Sequence, residues 1–167
     1  MCKHAGICYA MKAERQYPNC ESYRDRQQLY WHTKSDLEIS TDIRTKIFQI
    51  NSRRALSNSN LPKIKYLRFS EAGDFLSQGD VDKMSKIATR LDGYAVVYGY
   101  TARTDLDFSK VSDNMIVNGS DFMLHNLFQV VYDRADLDKT QAICPGDCSS
   151  CNLCKERRGL IIQVLKH

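Results

Sequence analysis

Apolar positions recur at helical spacing through the first third of the chain and at strand spacing through much of the rest. Residues 9–16 read as a short helix that Pro18 stops. A second helix is predicted from about Ser22 to Thr33, dense in Tyr23, Arg24, Arg26, Tyr30 and Trp31. From Asp36 to Leu56, the residues Leu37, Ile39, Ile43, Ile47, Ile50 and Leu56 fall close to helical spacing and predict a third. Residues 57–62 form a loop by their Ser, Asn and Pro content. The pattern then changes. Lys63–Ser70 (KIKYLRFS) alternates as a strand does. Gly79-Asp80 opens a helix with Val81, Met84, Ile87, Ala88 and Leu91 on one face, and Asp80 is the expected N-cap. Tyr94–Thr101 (YAVVYGYT) is continuously apolar, as in a strand covered on both faces. Asp107–Val111 reads as a short helix or turn. Met115–Asn118, Phe128–Tyr132 and Gly159–Leu165 add three strands.

Strands alternating with helices predict an α/β fold, a small mostly parallel sheet or half (β/α) barrel with flanking helices. A C-terminal cysteine metal-binding loop completes it. At 167 residues the chain suits one domain, with a helical part at 1–56, a β/α core at 63–134 and a cysteine loop at 144–154. Polar residues follow successive strands: Glu71 and Asp74, then Thr101 and Arg103, then Asn118 and Ser120, then Asp133 and Arg134. In a parallel sheet such strand ends share one edge, where ligands bind in open α/β folds and barrels. Glu71, Asp74, Arg103, Asn118 and Ser120 are therefore the candidate small-molecule site. Against this stands the plainer reading that loops are polar everywhere.

Composition narrows the classes. Hydrophobic residues make up 43% and charged residues 26%, a globular balance that excludes disorder and collagen. No apolar run approaches the roughly 20 residues that span a bilayer, so no membrane partner is expected. MCKHAGICYAMK lacks an apolar signal core, so a cytoplasmic location is expected. The net charge of +4 permits a phosphate-bearing partner without demanding one.

The seven cysteines change the picture most, because Cys2, Cys8 and Cys20 lie near the start and Cys144, Cys148, Cys151 and Cys154 near the end. An odd count in a reducing compartment argues against a disulfide scaffold. In CPGDCSSCNLC, overlapping two-residue spacers gather three thiolates on one turn and Cys144 adds a fourth. Pro145, Gly146, Asp147, Ser149 and Ser150 favour the turns needed to wrap an ion or cluster. Structural zinc sites usually pair two hooks across a longer loop, whereas overlapping hooks are closer to a [4Fe–4S] ligand run. The candidate metal ligands are Cys144, Cys148, Cys151 and Cys154, with Cys2 and Cys8 completing the site from the other end. The Cys144-x3-Cys148-x2-Cys151 spacing also matches the cluster loop of radical S-adenosylmethionine enzymes, although there the loop follows the first strand. Cys20, His4 and His32 read as bystanders.

Five motifs occur in order: Cys8-Tyr9-Ala10, Arg68-Phe69-Ser70-Glu71-Ala72-Gly73-Asp74-Phe75, Tyr98-Gly99-Tyr100-Thr101-Ala102-Arg103, Asn118-Gly119-Ser120 and the terminal CPGDCSSCNLC. Together they resemble the bacteriophage "gene product eighty-eight" domain family over nearly the whole chain. The resemblance implies a phage or prophage protein, acting in an infected or lysogenic host cell, with an α/β core and a cysteine-bound metal centre. It implies no settled activity. Ala72 stands where the family commonly has serine, so no catalytic hydroxyl is expected there.

Two functions of different classes follow. The first is a small iron–sulfur protein on a reduced radical-S-adenosylmethionine-like half barrel, with S-adenosylmethionine as a candidate ligand and substrate unknown. The second is a zinc-stabilised module that binds host nucleic acid or a host protein. Its support is the basic, aromatic N-terminal third, with Arg53-Arg54 and Lys155, Arg157 and Arg158 adding charge. A plain hydrolase has no Ser–His–Asp, paired-histidine or phosphate-loop signature behind it.

Overall fold

The computed structural model describes residues 9–57, 59–70 and 73–166. Three helices come first: α1 (Tyr9–Gln16), α2 (Cys20–Thr33) and α3 (Asp36–Leu56). Then follow β1 (Tyr66–Arg68), α4 (Gln78–Arg90), β2 (Val96–Thr101), β3 (Met115–Ser120), β4 (Asn126–Val131), β5 (Ala142–Ile143) and β6 (Ile161–Leu165). Local chemistry sets several of these bounds. The Ser35 hydroxyl accepts from the Glu38 N–H while the Glu38 carboxylate accepts from the Ser35 N–H, a reciprocal cap that starts α3. At α4 the N-cap is Ser77, not Asp80. Asp80 sits inside the first turn, and its carboxylate reaches back to accept from the Leu76 and Ser77 N–H groups, both at 3.0 Å. Its other oxygen accepts from Trp31 Nε1 at 2.7 Å, which ties α2 to α4.

Every strand pair is parallel, in the order β1-β2-β3-β4-β6-β5. The pairing is staggered. Val97 faces Met115 and Thr101 faces Gly119, but β4 begins opposite Asn118, partway along β3. Leu127 then pairs with Ile161 and Ala142 with Ile162. Such stagger curls a sheet, and the six strands form a half barrel with flanking helices. The sheet is all-parallel where a mostly parallel one was expected. The apolar pattern predicts no strand at residues 142–143, where the two-residue β5 forms, and β6 inserts between β4 and β5. The other bounds agree within a few residues: β1 and β2 begin later than expected, α2 and β4 earlier, and Ser109-Lys110 is a turn.

The core lies between the sheet and α3 and α4. Ile39, Val81, Met84, Ile87, Ala88, Leu91, Val97, Phe108, Met115 and Val117 form one buried cluster, with Leu67 and Phe69 packed against it. Each fully buried aliphatic side chain contributes about 1.5–3 kcal/mol relative to exposure. Gly99 is required here, since a Cβ at that position would lie 2.1 Å from the Phe69 carbonyl oxygen. Gly119 is equally constrained by the Phe122 carbonyl, where the chain doubles back between β3 and β4. α2 differs from the rest, because none of its residues is buried. No helix among the described residues is long and apolar enough to cross a membrane.

Candidate metal centre on the inner sheet face

Strand alternation decides which side chains can meet. Leu67, Val97, Met115 and Val117 enter the helix-facing core. Their neighbours Tyr66, Arg68, Tyr98, Tyr100, Asn118 and Ser120 therefore project to the opposite, inner face. There the rings of Tyr98 and Tyr100 meet edge to face at 6.4 Å, and Tyr100 meets Phe128 at 4.9 Å. The Arg68 guanidinium lies 5.0 Å over the Tyr100 ring.

The cysteine loop crosses this face. It leaves β5 at its C-terminal end, where the Cys144 N–H donates to the Gln163 carbonyl at 2.7 Å. It must regain the N-terminal end of β6, because the two strands are parallel. Two asparagines guide it. Asn118, fully buried on β3, donates from Nδ2 to the Gly99 and Cys154 carbonyls, each at 3.0 Å. Its register partner Asn126, also fully buried, donates from Nδ2 to Asn118 Oδ1 and to the Glu156 carbonyl, both at 2.9 Å. Asn126 Oδ1 accepts from the Arg158 and Leu160 N–H groups. A buried amide that satisfies main chain in this way fixes a loop that has few apolar side chains of its own.

Inside the loop, Asp147 accepts from the Ser149 N–H, Ser149 Oγ and Ser150 Oγ. The Ser149 side-chain bond is the largest cause that holds its carboxyl down at about 2. Lys155, at the end of the Leu153–Lys155 helical turn, is buried; its ammonium donates to the Cys148 carbonyl at 2.5 Å and lies 4.8 Å over the Tyr66 ring. The five described cysteines are free. Cys154 is hydrogen-bonded to the Tyr100 hydroxyl. Burial pushes the Cys154 thiol up, and Cys144, Cys151 and Cys148 all lie within electrostatic reach and push the same way. Burial likewise raises Tyr100 and Tyr98, with Cys154 adding to the first and Cys148 to the second. No group of three or more His, Cys, Asp or Glu side chains among the described residues stands in metal-holding geometry.

The strand-end residues fall in two places. Asp74 accepts from Thr101 Oγ1 at 2.6 Å, the Ala102 N–H at 2.7 Å and the Phe75 N–H at 2.8 Å. Arg103 donates to the Phe75 and Leu76 carbonyls and forms a bidentate pair with Asp105. Asp74 and Arg103 thus lock the loops after β1 and β2 to each other, and their polar atoms are engaged by the protein. Asn118 and Ser120 lie instead on the inner face beside the cysteine loop. Glu71, Cys2 and Cys8 lie outside the described residues. Cys20 opens α2.

Sequence reasoning did not single out Arg68, Tyr98, Tyr100, Asn126, His125 or Lys155 as parts of this face or its support. Strand alternation places Tyr98 and Tyr100 on one side of β2, but the continuously apolar YAVVYGYT does not say which side. Nothing local marked the rest. His125 acts as a substitute strand partner: Nδ1 accepts from the Val117 N–H at 2.9 Å and its own N–H donates to the Val117 carbonyl. Burial, then the nearby Arg157 charge, brings its pKa down to about 4.

The Gene product 88 family profile matches residues 1–149. The chain belongs to this family of phage proteins. The matched span includes Cys144 and Cys148 and stops before Cys151 and Cys154. No curated protein and no solved structure matches the chain.

Proposed function

We propose that this Gene product 88 protein holds a thiolate-bound inorganic centre on the inner face of its half barrel, with Cys144, Cys148, Cys151 and Cys154 as ligands. The observation that carries the reading is that all four thiols belong to one short loop, CPGDCSSCNLC, whose C-terminal end Asn118 and Asn126 fasten to the inner face through the Cys154 and Glu156 carbonyls. Four thiols of overlapping C-x2-C spacing form a soft donor set suited to a [4Fe–4S] cluster, with zinc as the competing occupant. The surroundings support an anionic centre. Arg68 and Lys155 bring two cations to this face. Tyr66, Tyr98, Tyr100 and Phe128 provide an aromatic wall that limits water.

A [4Fe–4S] cluster would supply one-electron chemistry, and with three protein ligands it would keep an open iron site, where S-adenosylmethionine is the candidate ligand. The chain's own residues would orient such a ligand from the inner face, where Arg68 offers a guanidinium to a carboxylate or phosphate. Asp74 and Arg103 are engaged in joining the loops after β1 and β2.

The test is metal and sulfide analysis with a visible spectrum on anaerobically purified protein. Brown protein that bleaches on reduction, and loses colour in Cys148→Ser and Cys151→Ser but not in Cys20→Ser, is the expected outcome. Colourless protein with stoichiometric zinc would replace the cluster by a zinc staple. Protein lacking iron, sulfide and zinc alike would overturn the reading.

A further inference from the structure

Between Ile43 and Ser70 the chain carries seven Lys or Arg residues and no Asp or Glu. The whole molecule has a net charge of only +4, so the remainder is net acidic. Six of these cations, Arg44, Lys46, Arg53, Arg54, Lys63 and Lys65, lie on α3 and the segment that leads into β1, while Arg68 turns to the inner face over Tyr100. The last turns of α3 are fastened to the segment that leads into β1: Arg54 donates to the Pro62 carbonyl, and the Ile64 N–H donates to Asn51 Oδ1 at 2.9 Å. β1 is the outermost strand on this side of the sheet.

Among the described residues these cations form no ion pair. Among the described residues, acidic partners engage Arg24, Lys34, Arg90, Arg103, Arg157 and Arg158. None of the seven has such a partner. Arg44 stacks on Tyr94, Arg68 on Tyr100, and Arg54 serves the loop, while Lys46, Arg53, Lys63 and Lys65 are exposed. Neighbouring like charges without acids repel one another and raise a local potential that a polyanion relieves. Large apolar side chains are exposed on the same elements: Phe48 at 72%, Leu56 at 86% and Leu61 at 62%.

We propose that this α3–β1 ridge binds single-stranded nucleic acid, with the cations on phosphates and Phe48, Leu56 and Leu61 against bases. The charge selects a polyanion. The exposed apolar groups select a single strand, because unstacked bases offer apolar faces that the outside of a duplex does not. An anionic bilayer fits less well: the apolar residues of α3 are not gathered on one outer face, since Ile39 and Ile47 are buried in the protein while Phe48 and Leu56 point to solvent. The ridge uses none of the cysteines, so it stands or falls independently of the proposed centre.

The experiment titrates the full chain into a fluorescein-labelled oligothymidylate of about 30 nucleotides, read by anisotropy, over about 50 to about 300 mM salt. Affinity should fall as salt rises. Combined Arg53→Gln, Lys63→Gln and Lys65→Gln should weaken binding at least about 10-fold near 100 mM salt and flatten the log–log salt slope by about 2, since each single-strand phosphate contact contributes roughly 0.7. Phe48→Ala should weaken binding at least about 5-fold with the slope unchanged. Lys34→Gln with Arg90→Gln, which removes cations outside the ridge, should leave binding at the wild-type level. Circular dichroism checks that each variant is folded. No binding near 50 mM salt would overturn the proposal. So would a folded triple variant that binds as wild type, or tighter binding to a duplex of equal length or to phosphatidylserine vesicles.

Discussion

Asn118 and His125 show how single polar side chains hold this molecule in shape. Asn118 has both ends of its amide engaged in a fully buried position. Asn118→Ala would remove the side-chain bonds to the Gly99 and Cys154 carbonyls and leave Asn126 one partner short, and buried unsatisfied groups cost about 1–3 kcal/mol each. A loss of about 3 kcal/mol, read from the urea midpoint, is expected. His125 makes a prediction in pH. Its pKa drops from an ordinary 6.5 to about 4 on folding. The folded chain then binds fewer protons than the unfolded chain between those values. Its contribution to stability is complete above about pH 6.5 and disappears as pH falls toward 4. The full span amounts to at most about 3 kcal/mol. His125→Gln should flatten that part of the stability–pH curve measured by thermal unfolding. Neither residue was visible in the sequence as structural. Asn118 read as a strand-end ligand, because nothing in one chain distinguishes an amide that faces a ligand from one that faces its own main chain.

At the level of elements, periodicity succeeded where a face is fully buried and failed where pairing comes from far away. α4 puts Val81, Met84, Ile87 and Ala88 on one side, and all four are buried. β2 and β3 were legible from their continuous apolar runs. β5 was not, because two residues carry no period and its partner lies beyond the cysteine loop. The same limit explains Asp80. Its type and position fit an N-cap, and only the three-dimensional bonds to Leu76, Ser77 and Trp31 place it within the first turn. The glycines in β2 and β3 allow a sharper prediction. Gly99→Ala would place a methyl 2.1 Å from the Phe69 carbonyl oxygen, against backbone that cannot swing aside. A destabilisation of more than about 2 kcal/mol is expected by chemical denaturation, as for other overpacked core sites.

Across the whole molecule, stability is unevenly distributed. The buried cluster joins α3, α4, β2 and β3, whereas α2 buries no residue and is held chiefly through Trp31 on Asp80 and Tyr30 on Asp42. Amide hydrogen exchange should therefore be fast along α2 and slowest in α4, β2 and β3. Equal protection of α2 and α4 would contradict this packing. The family and the fold class were legible at this scale, since ordered motifs and β/α alternation survive without side-chain detail. The arrangement of the strand-end residues was not. Alternation sends Asn118 and Ser120 to one face, while Asp74 and Arg103 are taken up in joining the loops after β1 and β2.

The insertion of β6 between β4 and β5 has a consequence for biosynthesis. The strand that completes the sheet is made after both of its neighbours and after the cysteine loop. Until residues 161–165 leave the ribosome, β4 and β5 have no partner between them, and Asn126 lacks the Glu156, Arg158 and Leu160 backbone it pins. The cysteine loop is therefore fastened to the sheet only after residues 161–165 have left the ribosome. A chain truncated just after Cys154 would carry all four thiols in an unfastened loop, open to oxidation.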